Sequence, residues 1–233
     1  PAADDSTFGH DSGGRLASID RTGLDAMLGY NAAGQLVTVD NATGDDYGYE
    51  YDGLARRTVG TVNGSVTRNF LVAPAGQRLG PGALDVQVQH LATNTSGGVL
   101  AGWVYGGENP ILRFHGAPGS EVVEYYLEDG SDSVATLIDN PISGPITKLA
   151  EYRYDGFGNN LNNVMYDDPG SGAAAIAGLD GDFGFHAAWR ECATGLYHMR
   201  ARSYDPETGR FLTPDPAEPN QQVPETYHPY SFA

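Results

Sequence analysis

The sequence predicts an all-β fold, and three observations carry that expectation. Turn-forming pairs (Asp-Gly, Asn-Gly, Gly-Gly, Pro-Gly) recur along the chain between short runs rich in Val, Tyr, Leu and Thr. No window of a dozen residues has a clean helical period. The best helical candidate, the Ala-rich run Gly172 to Leu179, is short and flanked by glycines. The third observation is internal repetition.

The repeat is read as follows. Gly14-Arg15-Leu16-Ala17-Ser18-Ile19-Asp20 and Gly34-Gln35-Leu36-Val37-Thr38-Val39-Asp40 share the pattern Gly-x-Leu-x-x-β-branched-Asp, 20 residues apart. Upstream of each lies an aromatic or His followed by Asp or Asn, His10-Asp11 and Tyr30-Asn31. A third copy runs Tyr49-Glu50-Tyr51-Asp52-Gly53-Leu54, and a fourth is Tyr152-Arg153-Tyr154-Asp155-Gly156-Phe157-Gly158. A diverged copy, Tyr125-Tyr126-Leu127-Glu128-Asp129-Gly130, leads into Val134-Ala135-Thr136-Leu137-Ile138-Asp139.

Each part of the unit has a physical role. Tyr-x-Tyr places two rings on one face of a strand, because side chains alternate. The Asp or Asn begins a turn by bonding its own backbone two residues on. The Gly three residues later supplies a positive φ. Leu and the following Ile or Val resume the inward face of the return strand. The unit is therefore a β-hairpin. Because lone hairpins are marginal in water, the units must stack side by side into one long sheet. Val59 to Gly102 is compatible with more hairpins but carries no clear signature.

Composition narrows the function. The 233 residues hold 13 Lys and Arg against 30 Asp and Glu, a formal charge of −17. That argues against nucleic acid and anionic lipid as partners, since both need clustered cations. The 40% hydrophobic fraction is enough to bury a core. No apolar run is long enough to cross a membrane as a helix. The single cysteine, Cys192, cannot form an intrachain disulfide and reads as a small apolar residue. The first residues read as a cut into something longer, with targeting information outside the chain.

The Tyr-x-Tyr-Asp-x-x-Gly units resemble the YD repeat of RHS-repeat proteins. The C-terminal stretch is more specific. Gly195-Leu196-Tyr197-His198-Met199-Arg200-Ala201-Arg202-Ser203-Tyr204-Asp205-Pro206-Glu207-Thr208-Gly209-Arg210-Phe211-Leu212-Thr213-Pro214-Asp215-Pro216 closely resembles the RHS-associated core domain, with Ser203 in place of an aromatic. The resemblance covers roughly residues 8–57 and 103–233. It implies a shell segment over 1–180 and a core, or plug, over 181–233. In such proteins the repeats spiral into a hollow β-cocoon and the core curls inward to close one end. In many members the core is an aspartyl-type autoprotease that releases a C-terminal toxin, whereas teneurins use a similar shell for adhesion.

The resemblance places Asp215 at the family's aspartate, with Arg210 as the supporting cation and Arg200 and Arg202 nearby. Asp215 is expected to lie close to one of these arginines and to point inward. Paired carboxylates suit peptide hydrolysis, because one activates water and the other protonates the leaving group. The family's second aspartate, in an Asp-Pro-x-Gly-Leu segment at the cut, lies downstream of Ala233. This chain alone is therefore expected not to cut itself. The bland readings are a turn residue for Asp215 and structural ion pairs for the arginines, whose forks suit carboxylates.

Other candidates carry less. His186, Cys192 and His198 fit no common zinc spacing and read as packing residues, while His10, His90, His115 and His228 are scattered. Asp129-Gly130-Ser131-Asp132 and Asp180-Gly181-Asp182 could offer oxygens to calcium, but read as solvated turns. The tyrosine rows could form a sugar platform, but strand spacing favours cross-strand packing. Asn41, Asn63 and Asn94 head glycosylation sequons.

The sequence therefore reads as a non-enzymatic shell-and-plug module without cofactor or metal. Its expected partners are the rest of its parent chain and a C-terminal toxin cargo, with self-association possible through open sheet edges. The expected location is secreted or cell-surface, in a bacterium. The competing reading is an extracellular structural or adhesive protein without toxin delivery, and a free aspartyl autoprotease ranks behind both.

Overall fold

The computed structural model describes residues 6–53, 57–72, 88–93, 98–106, 109–117, 119–139, 144–161, 176, 181–192, 194–199, 202–215 and 228–232. The Gly172–Leu179 run lies outside these apart from Ile176.

Hairpins form where the repeat places them. β1 (Thr7–His10) pairs with β2 (Leu16–Arg21), β3 (Leu24–Tyr30) with β4 (Leu36–Asn41), and β5 (Tyr47–Tyr51) with β6 (Arg57–Val62), all antiparallel. The turn chemistry repeats atom for atom. Asp11 Oδ1 accepts the N–H groups of Gly13 at 2.8 Å and Arg15 at 2.9 Å. Asn31 does the same for Ala33 and Gln35, Asp129 for Ser131 and Ser133, and Asp155 for Phe157 and Asn159. The third residue after each turn Asx has positive φ: Gly14 (79°), Gly34 (78°), Asp132 (58°) and Gly158 (92°).

Gly158 is the most constrained of these. A Cβ there would lie 2.6 Å from the Phe185 ring, whereas at Gly23, with φ 88°, it would meet nothing within 4 Å. Gly158→Ala should therefore lower unfolding free energy by about 2–4 kcal/mol and Gly23→Ala by only about 1–2. Thermal melts of the two variants check this, and equal losses would remove the ring contact from the explanation.

Strict alternation cannot put Leu16 and Ile19, three apart, on one face. A β-bulge resolves this. Gly9 faces Ser18 while His10 faces Leu16, so Ala17 is the extra residue. Val37, Thr58 and Ala135 are the equivalent bulged residues in later hairpins. As a result Leu16 and Ile19, Leu36 and Val39, and Val134 and Leu137 are all buried.

Where a tyrosine stands before the turn, it ties its hairpin to the previous one. Tyr30 Oη donates to the Leu16 carbonyl at 2.7 Å, Tyr51 to Leu36 at 2.7 Å and Tyr154 to Val134 at 2.9 Å.

The turn carboxylates link this architecture to pH. Burial pushes Asp155 up, but hydrogen bonds from the Asn159 side chain and the Phe157 and Asn159 N–H groups outweigh it, holding it below the usual aspartate value. A group depressed in the folded state adds stability above its unfolded pKa and loses it as pH falls through the folded one. Asn31, at the equivalent position, does not titrate. Asp155→Asn should therefore flatten the fall in Tm below about pH 4. An unchanged acid limb would show that this turn does not set it.

The sheet continues through β7 (Ser65–Val72), β8 (Val88–Thr93), β9 (Val99–Gly106), β10 (Asn109–His115), β11 (Val122–Glu128), β12 (Val134–Asp139) and β13 (Thr147–Glu151). These 13 strands form one antiparallel sheet in sequence order. The signature-poor stretch from Val59 to Gly102 thus supplies more strands of the same sheet.

A second sheet of five strands follows: β14 (Gly181–Phe183), β15 (Trp189–Glu191), β16 (Tyr197–Met199), β17 (Arg202–Asp205) and β18 (Arg210–Phe211). Trp189, Tyr197 and Tyr204 on it are buried and Phe211 is half-buried. The small sheet sits against the inward face of the long one at two places. Phe183 and Trp189 pack with Trp103, Tyr126 and Leu137, and Leu196 and Leu212 pack with Leu16, Ile19, Leu36 and Tyr49. Both ends of the long sheet also touch it through the backbone, Leu16 N–H to the Leu212 carbonyl and Val134 N–H to the Gly184 carbonyl. The long sheet therefore curls around the small one.

Candidate functional site

Asp215 lies just past β18, on a segment whose backbone is held by Pro229: the Asp215 N–H donates to the Pro229 carbonyl at 2.8 Å. Arg202 meets it from β17. Its Nη2 is 2.9 Å from Asp215 Oδ2, its Nη1 donates to the Pro229 carbonyl at 3.2 Å, and its guanidinium stacks 3.6 Å above the Phe211 ring. Burial lowers the Arg202 pKa while Asp215 opposes the shift.

Two expectations change here. The Asp215 side chain is 39% exposed, so it lies at the surface rather than pointing inward. The arginine that the structure brings to it is Arg202. Arg210 is exposed and, among the described residues, takes part in no ion pair, and Arg200 lies outside them. The reason is alternation: Arg202 is placed beside Phe211 by β17, and Arg210, one residue before Phe211, faces the other way.

Asp205, the other aspartate of this stretch, has a different setting. It is fully buried, accepts the Glu207 N–H through Oδ1 and receives Arg21 Nη1 of β2 on Oδ2 at 2.7 Å. This is one of three buried clasps between the sheets. On β6, Arg57 donates to Glu191, which also accepts from Tyr49 and, at 3.1 Å, from Thr194. On β10, Arg113 donates to Asp182 at 2.5 Å and to its neighbour Glu124 at 2.5 Å, while Tyr126 also donates to Asp182 at 2.5 Å.

The long sheet supplies the cation and the small sheet the acid in every clasp. The reading of Asp182 as part of a solvated turn is corrected, because Asp182 is buried in β14, while Asp180 lies outside the described residues. Burial raises the Asp182 pKa despite Arg113. Burial would lower Arg57, but Glu191 and the neighbouring tyrosines outweigh it and raise it.

One signal could have found Arg57. Counting five residues on from Asp11, Asn31 and Asp129 gives Leu16, Leu36 and Val134, and from Asp52 it gives Arg57. A cation at an inward apolar position demands a buried acid. The remaining candidates separate. His186 packs on Phe185 and Phe232, His198 against Tyr51, and Cys192 against the Trp103 cluster. Tyr47 and Tyr49 are buried, so these rings are core rather than a surface platform.

The family model described as "Teneurin YD-shell" matches residues 2–233. Among curated proteins, the tRNA3(Ser)-specific nuclease WapA of Bacillus spizizenii is 28% identical over 184 residues, covering 78% of this chain and 7% of the relative. The tRNA nuclease WapA of Bacillus subtilis is 26% identical over 185 residues, with the same coverage. Among solved structures, TcdB2-TccC3-Cdc42 superposes with a TM-score of 0.60 at 18% identity, covering 95% of this chain and 10% of that one. TcdB2-TccC3 gives 0.55 at 19% identity, covering 91% and 10%. The chain therefore spans a tenth or less of each of these four proteins.

Proposed function

The chain belongs to the teneurin YD-shell family, and we propose that it forms the plugged end of a longer shell that encloses a polypeptide cargo. Its shell-type fold suits a structural role rather than turnover. The observation that carries the proposal is the set of three buried clasps, which fix the small sheet against the inward face of the wall. A wall whose inner face is filled in this way closes a container. The cargo is a C-terminal toxin segment of the same parent chain, and the parent is secreted or surface-displayed by a bacterium.

Asp215 and Arg202 supply one half of a self-cleavage site. The carboxylate, paired with the guanidinium, can take a proton from water, and a second acid must protonate the departing amine. That second acid belongs to the parent chain downstream.

The test uses the 233-residue chain and the parent chain extended through its natural downstream segment. The short chain should stay a single species on prolonged incubation. The extended chain should yield two fragments by mass spectrometry, with Asp215→Asn abolishing the cut and Arg202→Gln slowing it strongly. Undiminished cutting with Asn at 215 would leave this aspartate as a turn residue only.

A further inference from the structure

The Asp215 site has a second support, which reaches across to the long sheet. Residues 228–232 run antiparallel beside β18 and the segment that follows it. Arg210 bridges to Ser231, the Phe211 N–H donates to the Tyr230 carbonyl at 3.0 Å, and the Asp215 N–H donates to the Pro229 carbonyl at 2.8 Å. The Pro229 carbonyl is the node of this arrangement, because Arg202 Nη1 also donates to it, at 3.2 Å. One acceptor thus fixes the backbone of the carboxylate and the fork of its cation together.

Tyr230, the neighbour of Pro229, is tied to the turn between β1 and β2. Its Oη donates to the Gly14 carbonyl at 2.6 Å, 216 residues away in sequence, and His10 meets its ring edge-on with centroids 6.4 Å apart. That turn is already set by its own chemistry, since Asp11 accepts the N–H groups of Gly13 and Arg15. A Cβ added at Gly14 would lie 2.5 Å from Tyr230 Oη and 3.6 Å from Pro214, the residue before Asp215. At Gly34, the equivalent turn residue with φ 78° against 79°, the same atom would meet nothing within 4 Å. The contact therefore belongs to this hairpin's place beside the small sheet and not to the repeat.

We propose, resting on the self-cleavage reading, that Tyr230 is a positioning residue for the cut and that the β1–β2 turn, through it, holds Asp215 and Arg202 in register. The chain of contacts is short: Gly14 carbonyl, Tyr230 hydroxyl, Pro229 carbonyl, then the Asp215 amide and the Arg202 guanidinium. Misplacing a reacting group by about 1 Å costs on the order of a hundredfold in rate, so a hydroxyl that fixes the adjoining carbonyl acts on the rate without touching the scissile bond. Cleavage then runs at full speed only where the long sheet is docked on the plug at this turn.

The test follows the first-order cutting rate of the parent chain extended through its natural downstream segment. Tyr230→Phe should slow the cut about tenfold. Gly14→Ala should slow it at least as much, whereas Gly34→Ala, with the same left-handed strain, should stay within about twofold of wild type. The Gly14→Ala, Tyr230→Phe double variant should cut no more slowly than Tyr230→Phe alone, because the added methyl then has no hydroxyl to displace. In the 233-residue chain, amide exchange at Asp215 should rise about tenfold in Tyr230→Phe, while Leu212, bonded to the Ser203 carbonyl, keeps its rate. A Tyr230→Phe chain that cuts at the wild-type rate, equal slowing by the two glycine variants, or additive losses in the double would each overturn the coupling. If Asp215→Asn cuts as fast as wild type, the self-cleavage reading falls and the positioning role with it; loss of Asp215 cutting alone leaves the coupling to stand or fall on Tyr230.

Discussion

Replacing Arg57 with leucine should lower the unfolding free energy by about 3–5 kcal/mol, because it leaves Glu191 buried without its cation. Leucine fits the backbone, since Leu16 and Leu36 occupy the equivalent place in the first two hairpins. The loss therefore reports the orphaned carboxylate rather than a misfit in the strand. Glu191→Gln in the Arg57→Leu background should recover most of it: the amide oxygen still accepts from Tyr49 and Thr194 but carries no charge. Urea midpoints of the two single variants and the double variant make the test. A cost under about 1 kcal/mol for Arg57→Leu, or no recovery in the double, would remove the ion pair from the account of how the sheets are joined.

Arg113→Leu should be at least as damaging, about 3–5 kcal/mol, since two carboxylates, Asp182 and Glu124, lose the same cation. Here the sign of the pH dependence is diagnostic. Burial already raises Asp182, whereas Glu124 is held below its usual value by His115 and Arg113 against the upward push of burial. Without Arg113 both folded-state pKa values rise. A carboxyl with a raised folded pKa favours the folded state as pH falls through that value. The gap between wild type and Arg113→Leu should therefore be widest near pH 7 and narrow towards pH 4. Hydrogen exchange at Gly181–Phe183 should rise first, because β14 is held there by Asp182. A gap independent of pH would mean that lost packing around Trp103, and not charge, explains the damage.

The sequence by itself determined the turn of each repeat. Asp11, Asn31, Asp129 and Asp155 fold their turns with their own neighbours, and Gly14, Gly34 and Gly158 sit at positive φ because the turn geometry requires it. These are contacts over two to four residues, set by local chemistry and repeated at a period readable by eye. The Leu-x-x-Ile spacing was legible too, but the bulge that makes it work was not, because it depends on the partner strand.

The tertiary structure alone decided the clasps. Arg57 and Glu191 lie 134 residues apart, Arg21 and Asp205 184, and Arg113 and Asp182 69. No local propensity links such positions; they meet because the long sheet curls around the small one. The same holds at Asp215. A cluster of Arg200, Arg202 and Arg210 in the sequence cannot say which guanidinium faces the carboxylate. Strand alternation across β17 and β18 sends Arg202 to it and turns Arg210 the other way.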